Sequence, residues 1–145
     1  MPVRPPLDPW LVLYDADCGF CKWLLAWLLR WDGAGRLRPL ALQRAEADEL
    51  LAELAPEQRA ASWHLISPGG SRASAGAAAA PLLRLLPGGH AVALLPTRLP
   101  GLTERGYRQV AAHRSRLSKL VPARAKLRAG ERIRLRERAL ERRAP

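Results

Sequence analysis

Residues 10–31 read WLVLYDADCGFCKWLLAWLLRW, and the division of this stretch decides the fold. Trp10 to Tyr14 is a short apolar run of the kind a buried strand carries. Cys18 to Trp31 is longer, apolar and free of Pro and Gly after Gly19, which predicts a helix. The turn Asp15 to Asp17 separates the two. Both cysteines of the chain, Cys18 and Cys21, therefore sit where a strand hands over to a helix, the first sulfur at the helix N-terminus.

That placement has a chemical consequence. The thiolate, not the thiol, attacks a disulfide. A helix N-terminus offers unpaired N–H groups and the positive end of the helix dipole, and both favour a thiolate at Cys18. The ordinary thiol pKa of about 8.5 then falls toward neutrality. Cys21, three positions on, lies on the same side of the helix and within disulfide reach. Cys18 is the expected nucleophile and Cys21 the expected resolving thiol. Asp17, a carboxylate beside Cys18, opposes thiolate formation unless it points away. Asp15, at the end of the strand, is a candidate to take the Cys21 proton during resolution. The plainer reading is that both carboxylates cap the turn.

Outward from this stretch, Asp32-Gly33 and Gly35 end the helix with turn residues. Arg36 to Leu42 is a second strand, and Pro39 assigns it to a sheet edge. Together these pieces form a βαβ unit of about thirty residues. Gln43 to Leu54 reads as a helix with Leu50, Leu51 and Leu54 inward, and Pro56 opens one more turn through Ala60. Ser62 to Ser67 and Ser71 to Ser74 flank Pro68-Gly69-Gly70 as an antiparallel hairpin. Gly76 to Leu86 is helical, with a kink or fresh start at Pro81. Ala91 to Leu102 reads as a short helix and a Pro-rich loop. Thr103 to Leu120 is a helix with Thr103 as N-cap and Tyr107, Val110, Ala111, Leu117 and Leu120 inward. The order β-α-β-α-β-β-α is an α/β, thioredoxin-like arrangement, expected over residues 10–121, after an extended Pro-rich leader at 1–9.

The net charge of +11 is unevenly placed. From Thr103 onward fourteen Lys/Arg face four Glu, whereas residues 1–102 carry ten against nine. Residues 122–145 thus read as a basic tail, a solvated helix with i,i+4 pairs or a disordered segment. Such a tail can touch anionic surfaces, but no nucleic-acid motif accompanies it. The apolar fraction is 48%, yet no uncharged apolar run reaches the roughly 18 residues a membrane span needs. The N-terminus lacks an apolar signal core, so a cytoplasmic setting is expected, where two cysteines seldom form a permanent staple. Trp23, Trp27 and Trp31 recur every four residues, which predicts a first helix buried on several sides; the alternative is a docking surface. Zinc needs four ligands, and His64, His90 and His113 show no paired spacing, so neither metal nor other cofactor is expected. A non-catalytic binding module, with a structural or metal-holding Cys pair and the basic tail as working surface, is the competing reading.

The run Asp15-x-Asp17-Cys18-Gly19-Phe20-Cys21 resembles the signature of the DCC-type thiol-disulfide oxidoreductases. The likeness continues through WLLRWDGAGRLRPLALQ (27–43), SWHLISPGGSRASAGAAAAPLLRLLP (62–87) and YRQVAAHRSRLSKLVP (107–122), covering roughly residues 10–122. The resemblance implies a thioredoxin-like fold and a protein-disulfide reductase activity, with a disulfide-containing protein or small thiol as substrate and an external electron donor. One departure from thioredoxin itself stands out. The proline that precedes the third strand there has no counterpart here, where Ala61-Ser62 occupy the place. Substrate docking must then rely on other residues.

Overall fold

The computed structural model describes residues 9–143, so the expected leader lies, but for Pro9, outside the described residues. Strand β1 (Trp10–Tyr14) leads into helix α1 (Gly19–Trp31), then β2 (Leu37–Ala41). Short helices α2 (Ala45–Leu50) and α3 (Pro56–Ala61) precede the hairpin β3 (His64–Ile66) and β4 (Arg72–Ser74). A 3₁₀ turn at Ala75–Ala78 runs into α4 (Ala79–Leu85), followed by α5 (Gly89–Arg98), α6 (Pro100–Ala112), α7 (Arg114–Leu120) and α8 (Ala123–Glu141).

The four strands form one mixed sheet in the order β2-β1-β3-β4. β1 pairs in parallel with β2, Trp10 opposite Leu37 and Tyr14 opposite Ala41. It pairs antiparallel with β3, Leu13 opposite His64, and β3 pairs antiparallel with β4. The α/β, thioredoxin-like expectation holds, with β2 at the sheet edge where Pro39 assigned it. The alternation of β1 divides the core between the two faces. Val12 and Tyr14 pack with Leu25, Leu29, Leu82, Leu86 and Ile133 on one face. Leu13 packs with Leu40, Ala47, Leu51 and Ile66 on the other.

Several expected boundaries moved. The helix expected over 43–54 ends at Leu50, and Leu51 fills the core while Leu50 is exposed. The Pro-rich loop expected before Thr103 is instead two helices meeting at Leu99, because Pro100 takes a first-turn position that needs no N–H. Thr103 is accordingly inside α6, and its hydroxyl donates to Leu99 O at 2.9 Å instead of capping. The long helix expected to reach Leu120 breaks at His113, leaving Leu120 78% exposed, not inward. Val110 is likewise 41% exposed.

Helix α1 is covered on several sides but not all round. Leu25, Ala26 and Leu29 are its buried residues; Trp27 is 53% exposed, with the Arg30 guanidinium stacked over its ring. The sheet covers one side of α1 and α7 and α8 cover a flank, and the tryptophan stripe faces outward. The basic segment after Pro122 is correspondingly not a helix solvated on all sides. Ile133 of α8 joins the core, and Ala129 is buried.

Contacts along α8 show how it lies. A Cβ at Gly19 would come 2.9 Å from Lys126 Cε, and one at Gly130 would come 3.7 Å from Lys22 Nζ. Farther along, Arg136 reaches Leu29 O and both the side chain and the carbonyl of Asp32. α8 therefore runs beside α1 in the same direction, and both helix N-termini point to the cysteine end.

Asp32 is the anchor at the far end. It is 1% exposed, accepts from the N–H groups of Arg36 (3.1 Å) and Leu37 (2.9 Å), and pairs with Arg136 Nη1 at 2.6 Å. Arg136 also donates to Leu37 O. The chain leaves this anchor through Gly35, whose φ of +68° suits glycine.

Candidate active site

Cys18 is the N-cap of α1, one residue outside the helix, with extended backbone (φ −97°, ψ 105°). Its sulfur accepts the N–H of Cys21 at 3.2 Å, so the group that a thiolate needs is already turned toward it. Cys18 and Cys21 are joined as a disulfide with Cα atoms 5.2 Å apart, inside the ordinary range. The turn before it is closed by the Cys18 N–H to Asp15 O.

Gly19 matters because α7 and α8 pack closely against this residue beside Cys18. A methyl group at this position would stand 2.9 Å from Ser118 Oγ of α7 and 2.9 Å from Lys126 Cε of α8. The first turn of α8 thus lays a lysine stem against the residue between the cysteines. Lys22 lies on the same flank, its ammonium over Gly130. The N-termini of α1 and α8 both lie at this end, and the free N–H groups and positive dipole end of α1 lower the energy of a thiolate at Cys18.

The carboxylates are held by a residue that no local pattern marks. Gln43 Nε2 donates to Asp15 Oδ1 at 2.8 Å and to Asp17 Oδ2 at 3.3 Å, while its carbonyl accepts the Ala16 N–H. Asp15 Oδ1 also accepts the Asp17 N–H, and its other oxygen faces Arg114 at 3.8 Å. The exposed Asp17 carboxylate turns to the Gln43 amide. Asp15 caps the turn, as the plainer reading has it, and also lines a cleft shared with Cys21.

That cleft has a volume of about 250 Å³. Phe20, Leu24 and Leu28 of α1 form one wall, Tyr107 and Val110 of α6 the opposite one, and Trp63 with Ser62 the end. Ser62 and Trp63 directly precede β3. Trp63 and Tyr107 stack at 6.3 Å with rings nearly parallel, and the Trp63 N–H donates to the Tyr107 hydroxyl at 3.0 Å. Burial raises the Tyr107 pKa above the usual phenol value, so the hydroxyl stays protonated at neutral pH.

The histidines do not gather at the cysteines. His64 is 1% exposed; its Nε2–H donates to Arg59 O at 3.0 Å, and Nδ1 accepts the Ser74 hydroxyl at 2.6 Å. Burial lowers its pKa, which keeps this tautomer neutral. Among the described residues no group of three or more His, Cys, Asp or Glu side chains converges, and no helix is long and apolar enough to cross a membrane.

The structure brings the expected residues Cys18, Cys21 and Asp15 together, and around them stand Gln43, Trp63, Tyr107, Arg114 and Lys126, which the sequence did not single out for the site. The first group lies on one continuous turn. The second reaches it from positions 22 to 111 residues away along the chain, with no shared spacing to reveal it.

A mixed sheet with a helix-capping Cys-x-x-Cys after its central parallel strand is the scaffold of a thioredoxin-like redox protein. The family model of the DCC1-like thiol-disulfide oxidoreductases matches residues 12–120, and the chain belongs to that family. Comparison with curated proteins finds no match, and comparison with solved structures finds none either.

Proposed function

We propose that this protein reduces disulfides by dithiol–disulfide exchange, with Cys18 as nucleophile and Cys21 as resolving thiol. The observation that carries the reading is the N-cap geometry: Cys18 Sγ already accepts the Cys21 N–H at the start of α1. In the reduced protein the Cys18 thiolate attacks one sulfur of the substrate disulfide. The substrate S–S bond breaks, a mixed disulfide forms, and the first substrate thiolate leaves and takes a proton. Cys21 then loses its proton to Asp15 and attacks Cys18 Sγ. The mixed disulfide breaks, the Cys18–Cys21 disulfide closes, and the second substrate thiol departs. Two electrons have passed to the substrate, and an external thiol donor returns them by the same exchange in reverse. Cytoplasmic conditions supply such donors.

Asp15 suits the proton step because it shares a cleft with Cys21 and is steered by Gln43 and Arg114. The exposed arginines along α8, among them Arg128, Arg132 and Arg138, suit peripheral contact with anionic surfaces, apart from the chemistry.

The test is a pair of variants. Cys18→Ser should abolish reduction of a protein disulfide, and Cys21→Ser should accumulate a mixed disulfide on Cys18, seen by mass spectrometry. Reduction persisting in Cys18→Ser overturns the assignment.

A further inference from the structure

We infer that the cleft between α1 and α6 selects substrates, taking a neutral apolar side chain that flanks the cysteine of a peptide disulfide. The inference rests on the exchange chemistry proposed above and specifies what that chemistry accepts.

Position comes first. Cys21 is part of the cleft wall, so whatever fills the cleft lies beside the resolving cysteine, the disulfide partner of Cys18. A group on the residue next to a substrate cysteine is the one that arrives there when that cysteine meets Cys18.

Polarity comes second. The walls are largely apolar, with side chains of Phe20, Leu24, Trp63 and Val110, and the polar atoms of Trp63 and Tyr107 already have partners. The Tyr107 hydroxyl takes the Trp63 N–H, and the Trp63 indole N–H donates to Ala75 O at 3.0 Å. Arg114 and Asp15 face each other across the rim, so the two charges offset and neither sign of ligand is called for. A small, multiply charged disulfide would surrender hydration here without regaining hydrogen bonds.

Size comes third. At about 250 Å³ the cleft falls short of the roughly 300–1,000 Å³ that encloses a whole small-molecule ligand. One large side chain is the fitting occupant, and the rest of the peptide stays outside.

Trp63, fixed by its two hydrogen bonds and its stack on Tyr107, is the rigid end wall of the cleft.

Single-turnover kinetics test this. Pre-reduced full-length protein is mixed with either of two disulfide-linked peptide dimers, identical except for Phe or Ser beside the cysteine. The Phe peptide should react at least ~tenfold faster, the scale set by burying one aromatic side chain. In Val110→Trp, which fills the cleft, and in Val110→Asp, which makes its wall polar, that ratio should fall below about threefold. A misfolded fraction lowers both rates alike, so the ratio is insensitive to it. Equal rates in the unaltered protein, or a ratio that survives both substitutions, overturn the cleft's role while exchange stands. Failure of both peptides to react overturns the exchange chemistry itself, and the inference with it.

Discussion

The two ends of α1 are built to opposite purposes, and α8 serves both. At the start, Cys18 caps the helix with a sulfur that is half-exposed and chemically changeable, and Lys126 rests its stem against Gly19. At the finish, Asp32 is sealed from solvent under Arg136, with every hydrogen bond satisfied inside the protein. The difference teaches that a reactive cap needs a rigid frame behind it. The buried ion pair ties α8 to the far end of α1, and the position of α8 decides what packs against Gly19 beside Cys18.

If that division is right, damage to one end should not imitate damage to the other. The largest effect belongs to Cys18→Ser, which should remove exchange down to the uncatalysed background. In reduced protein its urea-unfolding free energy should change by no more than about 0.5 kcal/mol, as for a partly exposed polar swap. Asp32→Ala should do the reverse. Leaving Arg136 without its partner in a buried setting should cost about 3–5 kcal/mol of stability, read from urea denaturation. Per folded molecule, the reactivity of Cys18 should then fall only as far as α8 loosens.

A milder test joins the ends. Lys126→Met should slow alkylation of Cys18 by at most about threefold near neutral pH, the scale of one solvent-screened charge pair. Lys126→Arg should retain the rate. Equal rates in all three proteins would separate α8 from the chemistry and leave it a purely structural helix.

The smallest effect concerns pH and lies away from both ends. Burial lowers the His64 pKa, so the unfolded chain binds a proton there more readily than the folded one. The sign follows: the contribution is complete above the ordinary histidine pKa of about 6.5 and is lost as pH falls toward the depressed folded value. Denaturation curves between these values should show stability dropping on acidification, by at most about 1.4 kcal/mol per pH unit from this one site. His64→Gln should flatten that part of the profile.

Much of the reactive end was legible because its information is local. A strand, a three-residue turn and a helix follow each other within residues 10–31, and the spacing of Cys18 and Cys21 needs no distant partner. Pro39 likewise announced a sheet edge through its missing N–H. The structural end was opaque for the converse reason. Asp32 beside Gly33 looks like an ordinary turn, and its partner Arg136 is one arginine among many, 104 residues away. The charge pattern of α8 read as solvated because the buried face is narrow, carried by Ala129 and Ile133. Helix ends near prolines misled in the same way: Pro100 begins a helix where composition pointed to a loop. The cleft was unreadable because its walls come from α1, the start of β3 and α6, whose meeting depends on Tyr107 packing on Trp63.

The central claim is that the fold holds Cys18 as a thiolate at the α1 N-terminus, against the opposing charges of Asp15 and Asp17. The direct measurement is the pH dependence of Cys18 alkylation in reduced Cys21→Ser protein. The account predicts a midpoint at least about one unit below the ordinary thiol value of about 8.5. A midpoint at or above 8.5 would mean that the carboxylates prevail over the helix N-terminus, and would contradict it.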